Sequence, residues 1–389
     1  MNRSAPPSTA PVVALSPAEV VATAATIAQC QQPSGMIPWF EDGHADPWNH
    51  VEAAMALTVG GFFTEAQKAY GWLANEQLAN GAWHQYYWAD TATKGSAKRK
   101  NPTINTLKGT RNTLRGAIRN STIRNGASTV KDDKLDTNCV AYIATGVWHY
   151  FLATGDRSFL EELWPVVDNA IEFVCDAQTP RGEIHWARHA DGKFWPFALL
   201  TGSSSICHSL DCALKLAAAT DEERPRWQDA QDRLCNVIAN VPEAFAPKQR
   251  WAMDWYYPVL SGALTQQQAR ERLQDGWEKF VIEGKGVRCV SDKEWVTAAE
   301  TAECAIAYYI AGEEKTAQEL LDWAHQLKDS DNRYWTGIVY PDLVHFPAEE
   351  KTTYTAAAVI LAADVVGNED KTDSAAWQAG TTRQIWLPI

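Results

Sequence analysis

Apolar residues recur along most of the chain at the three- and four-residue spacing of an amphipathic helix, whereas strict apolar–polar alternation is almost absent. The pattern predicts an all-α protein without a substantial sheet. The twelve predicted helices span residues 17–31, 47–59, 64–79, 136–153, 158–177, 203–219, 221–240, 255–263, 265–282, 295–310, 313–328 and 351–366.

Two kinds of helix alternate along the chain. Val51–Val59, Cys139–Ala153 and Ala299–Ile310 consist mostly of small and apolar residues, as a crowded interior requires. Glu222–Val237 and Gln266–Phe280 carry charges on one face only. We therefore predict an inner ring of apolar helices inside an outer amphipathic ring, an (α/α)6 toroid of six helical hairpins. An open α-solenoid is the alternative, because the pattern does not show whether the ring closes.

Short turns that combine a small residue with a helix-capping residue separate most of these helices. The predicted capping boxes are Ser16–Glu19, Thr64–Gln67, Ser158–Glu161, Thr220–Glu223 and Thr265–Gln268. The short turns lead from inner to outer helices, so the long connections must gather at the opposite face. These connections are 32–46, 80–135, 178–202, 241–254, 283–294 and 329–350. We call this face the mouth of the toroid. The N-termini of the inner helices also lie there and offer unpaired N–H groups, so we expect the functional site at the mouth.

The charge of the chain is unevenly distributed. The formal net charge is −13, which argues against nucleic acid as the main partner. Residues 91–131, however, hold ten Lys or Arg and no Asp or Glu. We interpret this tract as a basic insert, with an arm for an anionic partner as the alternative, in a single toroid domain spanning 16–389. Residues 1–15 are predicted to be disordered, and no stretch approaches the length of a membrane span.

The eight cysteines are scattered singly, with no CxxC pair. Cys139, Cys207, Cys212 and Cys304 lie within apolar helical runs. This usage predicts buried free thiols in a cytoplasmic protein, without a disulfide framework or a metal cage.

The first long connection contains the densest group of candidate binding residues, namely Trp39, Asp42, His44, Asp46 and Trp48. Asp46 precedes Pro47 at a helix start, so it is either an N-cap or an acceptor for ligand hydroxyls. Asp133 and Asp136 stand at the equivalent place before the fourth helix, where three carboxylates within five residues exceed the needs of a cap.

Further candidates occupy the other connections. Glu300 and Glu303 lie inside an apolar helix, and Glu300 is close enough to its start to face the mouth, although a salt bridge is an equal alternative. The remaining candidates are Glu183, Trp186, Asp254, Trp255, Trp295, Glu349, Glu350 and Tyr354.

Aromatic residues are unusually abundant, with 18 Trp and 12 Tyr. Aromatic rings beside carboxylates suit pyranose rings, and they equally suit a carbocation. The chain has no phosphate loop, GxGxxG, HExxH or GxSxG motif, so we expect no cofactor and no metal.

The stretch from Leu135-Asp136-Thr137-Asn138 through Tyr150–Leu160 to Trp164-Pro165 resembles the six-hairpin glycosidases, especially glucoamylase-like and trehalase-like enzymes. This resemblance implies inverting hydrolysis by a carboxylic acid and a carboxylate on opposite sides of the glycosidic bond. It implies that Asp46 holds sugar hydroxyls and that Glu349 or Glu350 is the base. The family's acid lies just before the sixth helix, where this chain has Lys193-Phe194-Trp195-Pro196 instead.

Because of this departure, we predict Asp133 or Glu183 as the acid, Glu350 as the base and Asp136 as a second sugar-binding residue. Two other classes stay open. The chain also resembles terpenoid cyclases and protein prenyltransferases in its Gln…Gly…Trp repeats, but it lacks a DxDD motif. A non-catalytic carbohydrate-binding toroid would keep the aromatic residues without needing paired acids.

Overall fold

The computed structural model describes residues 15–89, 123–125, 128–132, 134–367 and 384–385. The predicted segment 1–15 and basic insert 91–131 lie largely outside these residues. The described helices are α1 (Pro17–Cys30), α2 (Pro47–Val59), α3 (Phe63–Glu76), α4 (Thr137–Ala141), α5 (Ile143–Thr154), α6 (Arg157–Asp176), α7 (Leu200–Ala219), α8 (Pro225–Asn240), α9 (Met253–Leu260), α10 (Gln266–Phe280), α11 (Ala298–Ile310), α12 (Glu314–His325) and α13 (Thr353–Val366). None of these is both long enough and apolar enough to cross a membrane.

The helices form two concentric rings. The inner ring runs α2, α4–α5, α7, α9, α11 and α13, and each member packs against the next. The contact of α13 with α2 closes this ring, so the fold is the predicted (α/α)6 toroid and not an open solenoid. The outer helices α1, α3, α6, α8, α10 and α12 pack against inner ones, with α1 lying against both α13 and α2. The inner helices α2 and α13 are buried almost throughout, because their small apolar residues face neighbours on every side.

Helix starts confirm two of the predicted capping boxes, those of Ser16 with Glu19 and Thr265 with Gln268. The other three are wrong. Helix α3 begins before Thr64, and Asp156 replaces Ser158 by accepting a hydrogen bond from the Phe159 N–H. Thr220 instead ends α7, where its hydroxyl donates to the Ala217 carbonyl, because Pro225 sets the start of α8.

Short strands in the long connections correct the expectation that strands are almost absent. The described strands are β1 (His44–Ala45), β2 (Tyr86–Ala89), β3 (Ile123–Asn125), β4 (Ser128–Asp132), β5 (Leu135–Asp136), β6 (Ala187–Arg188), β7 (Val281–Ile282), β8 (Gly286–Arg288), β9 (Trp295–Thr297), β10 (Gly337–Val339) and β11 (Val344–Phe346). They form antiparallel sheets of order β1-β2-β4-β3, β5-β6 and β11-β10-β9-β8-β7. Strands of two to five residues are too short to show alternation in the sequence.

A repeated glutamine fixes the start of three long connections. Each side-chain amide donates to the carbonyl of the glycine four residues later and to a carbonyl on the next outer helix. The three sets are Gln31 with Gly35 and Glu65, Gln77 with Gly81 and Val166, and Gln178 with Gly182 and Ala230. Gly35 is required because its φ is 97° and an added Cβ would lie 2.1 Å from the Lys68 carbonyl oxygen. These glutamines are therefore structural.

One disulfide corrects the prediction of free thiols. Cys207 on α7 is bonded to Cys235 on α8, which links an inner helix to its outer partner. Cys139, Cys212 and Cys304 are free and buried, as predicted for them.

Candidate active site

Asp46 lies at the start of α2, and its carboxylate accepts three hydrogen bonds. Its Oδ1 accepts the Asn49 backbone N–H at 3.0 Å, and its Oδ2 accepts the Trp39 indole N–H at 2.6 Å and the Asn49 side-chain amide at 2.7 Å. Trp39 is held in turn by the Thr353 N–H, which donates to its carbonyl at 2.7 Å. Asp46 is thus the N-cap of α2, and only 3% of its surface is exposed; its role as an acceptor for ligand hydroxyls stays a prediction.

Asp136 repeats this arrangement at the start of α4. Its Oδ1 accepts the N–H groups of Asn138 at 3.0 Å and Cys139 at 3.4 Å, and the Trp186 side chain also hydrogen-bonds to it. Pairing of β5 with β6 brings Trp186 into place beside Asp136. Burial nevertheless raises the pKa of Asp136 to about 6.

Glu300 lies in the first turn of α11, where its Oε2 accepts a hydrogen bond from the Thr297 hydroxyl. Thr297 is fixed because it ends β9, in register with Gly337 and Val287. Glu300 is half-buried, and burial raises its pKa. A carboxyl in this state keeps its proton to a higher pH than an exposed glutamate does.

Tyr354 connects the carboxylates of α2, α11 and the last long connection. Burial raises the pKa of Tyr354, and the charges of Glu300, Glu350 and Asp46 raise it further. Glu350 is half-buried and its own pKa is raised by burial, whereas Glu349 is exposed. The charges of three acids predicted from the sequence therefore act on the same phenol.

An aromatic wall stands beside this group. The His44 ring lies 4.3 Å from Trp39 and 4.9 Å from both Tyr86 and Trp88, centroid to centroid. The Trp39 ring also meets Tyr354 at 5.1 Å. The wall forms because β1 pairs with β2, in a register that sets His44 opposite Trp88.

Other predicted aromatic residues also lie at helix starts or mouth strands. Trp48 stacks on Tyr142 at 4.9 Å and donates to the Ser205 hydroxyl at 3.4 Å. Trp186 stacks on Phe197 at 5.4 Å, and Trp295 stacks on Phe346 at 4.6 Å.

Three predicted residues lie apart from this group. Asp42 is exposed in a tight turn with φ 60°, a conformation that aspartate tolerates. Trp255 packs outward, because its indole donates to the Arg272 carbonyl at 2.8 Å and stacks on Phe280 at 5.3 Å. Asp254 accepts the Thr201 hydroxyl at 2.8 Å, and with Trp255 it lines a cleft of about 530 Å³ between α8 and α10.

Of the two acids chosen from the sequence, the structure describes only Glu183, and its environment does not favour that role. Glu183 forms a two-bond ion pair with Arg181, whose guanidinium lies 2.6 Å and 2.9 Å from the carboxylate oxygens. These hydrogen bonds lower the pKa of Glu183 to about 2, so it has no proton to donate at neutral pH. Asp133 lies outside the described residues.

A second pair of carboxyls, only partly anticipated, lies deeper in the ring. Glu52 and Glu303 are buried on α2 and α11, and burial raises the pKa of both, with the charge of Glu303 adding to the shift at Glu52. Glu303 accepts the hydroxyls of Tyr256 and Tyr257, the latter at 2.9 Å, and Glu52 accepts that of Tyr142 at 3.3 Å. The sequence signal that could have indicated this pair is the presence of an acidic residue inside each of two otherwise apolar inner helices.

Glu52 and Glu303 both line a cavity of about 20 Å³. This volume admits about one water molecule. Within the described residues, no group of three or more His, Cys, Asp or Glu side chains is arranged to hold a metal ion.

The chain is 46% identical over 352 residues to the MMP endo-(1,4)-3-O-methyl-alpha-D-mannosidase of Mycolicibacterium hassiacum, a match that covers 90% of this chain and 87% of that protein. A wild-type glycosidase structure is similar at a TM-score of 0.65 and 12% identity, over 90% of this chain and 98% of that one. A D-mannose isomerase structure is similar at a TM-score of 0.62 and 9% identity, over 89% of this chain and 96% of that one. At such identities the two structures show the fold alone. No family model matches the chain.

Proposed function

Because the chain belongs to the glycoside hydrolase family of the M. hassiacum endo-mannosidase, we propose that it cleaves internal (1,4) linkages in a chain of 3-O-methyl-α-D-mannose. The family membership confirms the glycoside hydrolase function predicted from the sequence. It also favours hydrolysis over the cyclase, prenyltransferase and non-catalytic alternatives.

The observation that carries the proposed mechanism is the contrast between Asp46 and Glu300, both near Tyr354. Three N–H donors point at the oxygens of Asp46, which is the environment of a carboxylate acceptor. Glu300 has a pKa raised by burial, and the Thr297 hydroxyl donates to its carboxyl. Environments that differ in this way divide two carboxyls into a base and an acid. We assign Glu300 as the proton donor and Asp46 as the base.

In the proposed reaction, Glu300 transfers its proton to the glycosidic oxygen while the bond from that oxygen to the anomeric carbon breaks. A water molecule attacks the anomeric carbon from the opposite face and loses a proton to Asp46. The products are a new reducing end and a new non-reducing end. Proton exchange with solvent then returns Asp46 and Glu300 to their starting states.

The aromatic wall and Asp136 supply the binding contacts in this proposal. The rings of Trp39, Tyr86 and Trp88 offer apolar faces to the C–H face of a sugar, and Asp136 with Trp186 offers an acceptor for hydroxyls. Loss of Asp136 would therefore raise KM more than it lowers kcat.

Glu350 is the competing base, since the sequence predicts that role and Glu350 also lies near Tyr354. Its side chain receives no hydrogen bond from the described residues, so nothing comparable to the Asn49 and Trp39 contacts fixes its oxygens. The cytoplasmic location remains a prediction, and the disulfide between Cys207 and Cys235 weakens the thiol usage on which it rested.

The test is to incubate the purified protein with a defined (1,4)-linked 3-O-methyl-α-mannose oligosaccharide and to follow the products by mass spectrometry and proton NMR. We expect internal cleavage, with β-anomers released first because the reaction inverts the anomeric carbon. No cleavage by the folded protein would contradict the hydrolase assignment, and release of α-anomers would contradict the roles given to Asp46 and Glu300.

A further inference from the structure

Large exposed apolar side chains are confined to the mouth in the part of the chain that the structure describes. They are Trp251, Leu343 and Val344, with 46%, 62% and 59% of their surfaces exposed. All three lie on connections that lead from an outer to an inner helix. Exposed aliphatic residues suit ordinary sugars poorly, because a sugar hydroxyl loses its water there without gaining a partner.

The register of β9, β10 and β11 places Val344 on one face with Trp295. Val339 pairs with Val344 on one side and with Trp295 on the other, so the three side chains form a row across the strands. The next row on the same face holds Phe346, Gly337 and Thr297. We call Trp295, Val339, Val344 and Phe346 the apolar strip.

The apolar strip is continuous with the proposed site through Thr297. Residues two apart in a strand share a face, so Thr297 follows Trp295 on the face that carries the strip. The Thr297 hydroxyl donates to Glu300, the proposed proton donor. Gly337 lies between these points, and a Cβ there would lie 2.7 Å from the Val296 carbonyl oxygen and 3.1 Å from the Thr297 methyl carbon.

We propose that the apolar strip binds O-methylated sugar units of the substrate, next to the unit whose bond is cleaved. This inference rests on the proposed function and deepens it. A methyl ether replaces a hydroxyl donor with apolar surface, which suits Val339 and Val344, while the stacked rings of Trp295 and Phe346 lie beside them for the sugar's C–H face. The strip therefore selects methylated over unmethylated chains.

The experiment compares kcat/KM for matched 3-O-methylated and unmethylated (1,4)-α-mannose oligosaccharides. Val344→Thr exchanges one methyl for a hydroxyl at an exposed position, so folding is retained. We expect it to lower the methylated-to-unmethylated ratio about tenfold, as expected for one lost apolar contact. Val344→Ile keeps the apolar surface and should preserve the ratio. Ile338→Val, on the other face of the same hairpin, should leave the ratio unchanged.

An unchanged ratio in Val344→Thr, or an equal loss with both substrates, would overturn the inference while leaving the hydrolase function intact. If the wild-type protein cleaves neither substrate, the proposed function fails, and calorimetric binding of the same oligosaccharides decides the inference separately. A binding preference for the methylated chain that Val344→Thr abolishes would then support it, and equal binding of both chains would overturn it.

Discussion

The toroid holds two layers of carboxyls, and the same two helices supply both. Helix α2 is capped by Asp46 and carries Glu52 further along, while α11 carries Glu300 in its first turn and Glu303 one turn later. The upper carboxyls meet N–H and hydroxyl donors beside the aromatic wall. The lower ones are also buried, and within the described residues they accept hydrogen bonds from phenol hydroxyls.

This difference in surroundings distinguishes carboxyls with a proposed catalytic role from carboxyls with a structural role. A raised pKa occurs in both layers, so it does not by itself mark a catalytic group. Access to the mouth and a second carboxyl in a different environment are what distinguish Glu300. The lower pair instead accepts hydrogen bonds from the hydroxyls of Tyr142, Tyr256 and Tyr257.

The largest expected effect is on activity in the upper layer. Glu300→Gln removes the proposed proton donor, and Asp46→Asn removes the proposed base while keeping an amide that still caps α2. Each should lower kcat about 10³-fold, with little change in melting temperature. Steady-state kinetics on the methylated oligosaccharide measures this. Glu350→Gln is the matched comparison, and a greater loss there than in Asp46→Asn would return the base role to Glu350.

The next effect is on stability in the lower layer. Glu303→Ala leaves the hydroxyls of Tyr256 and Tyr257 without their acceptor and opens a cavity, so the free energy of unfolding should fall by roughly 2–4 kcal/mol. Glu303→Gln keeps an acceptor oxygen and should cost clearly less. Urea denaturation measures both, and equal losses would contradict the importance of these hydrogen bonds.

Glu303 should also make stability depend on pH. Burial raises the pKa of Glu303 from 4.5 to about 8. Between these pH values the unfolded chain has lost this proton and the folded chain holds it, so the contribution of Glu303 to stability falls as pH rises. Glutamine has no such proton. The stability of Glu303→Gln relative to wild type should therefore increase from pH 5 to pH 8.

Glu183→Gln is the control for this pH series. The pKa of Glu183 is lowered to about 2, so its contribution is lost only as pH falls below about 4.5. The difference in unfolding free energy between this variant and wild type should be flat from pH 5 to pH 8. A slope like that of Glu303→Gln would show that the effect does not come from the buried pair.

The smallest effect is a shift in the pH–rate profile. The Thr297 hydroxyl stabilises the ionised form of Glu300, so Thr297→Val should raise the pKa of Glu300 further. The alkaline limb of kcat/KM should move to higher pH. Thr336→Val is the matched control, since its hydroxyl donates to Thr352 instead. An unmoved limb in Thr297→Val would argue against Glu300 as the acid.

The sequence was sufficient for the two rings, and it made Asp46 and Glu300 candidate binding residues without assigning either a catalytic role. Helical periodicity persists over whole helices, and residues at the starts of inner helices must face the mouth, which is why Asp46 and Glu300 were candidates. The meeting of Glu52 with Glu303 was not predictable, because it depends on which helices face each other across a closed ring.

The sequence also did not show in which direction individual side chains point or which distant residues they contact. Trp255 follows Asp254 directly in the sequence, yet it stacks on Phe280 of the outer ring. The identities of neighbouring residues in the sequence do not reveal this contact. Cys207 and Cys235 are 28 residues apart, and only the packing of α7 on α8 brings them together. Glu183 was a candidate acid because the sequence does not show that Arg181, two residues before it, forms an ion pair with its carboxylate.

The most direct test of the division between the layers compares Glu300→Gln with Glu303→Gln, substitutions that are chemically identical and one helical turn apart. Single-turnover cleavage of the methylated oligosaccharide is measured for both, alongside the melting temperature of each. We predict that Glu300→Gln loses about 10³-fold in rate while remaining folded, and that Glu303→Gln stays within about tenfold of wild type. A folded Glu303→Gln variant as inactive as Glu300→Gln would contradict the assignment of chemistry to the upper layer.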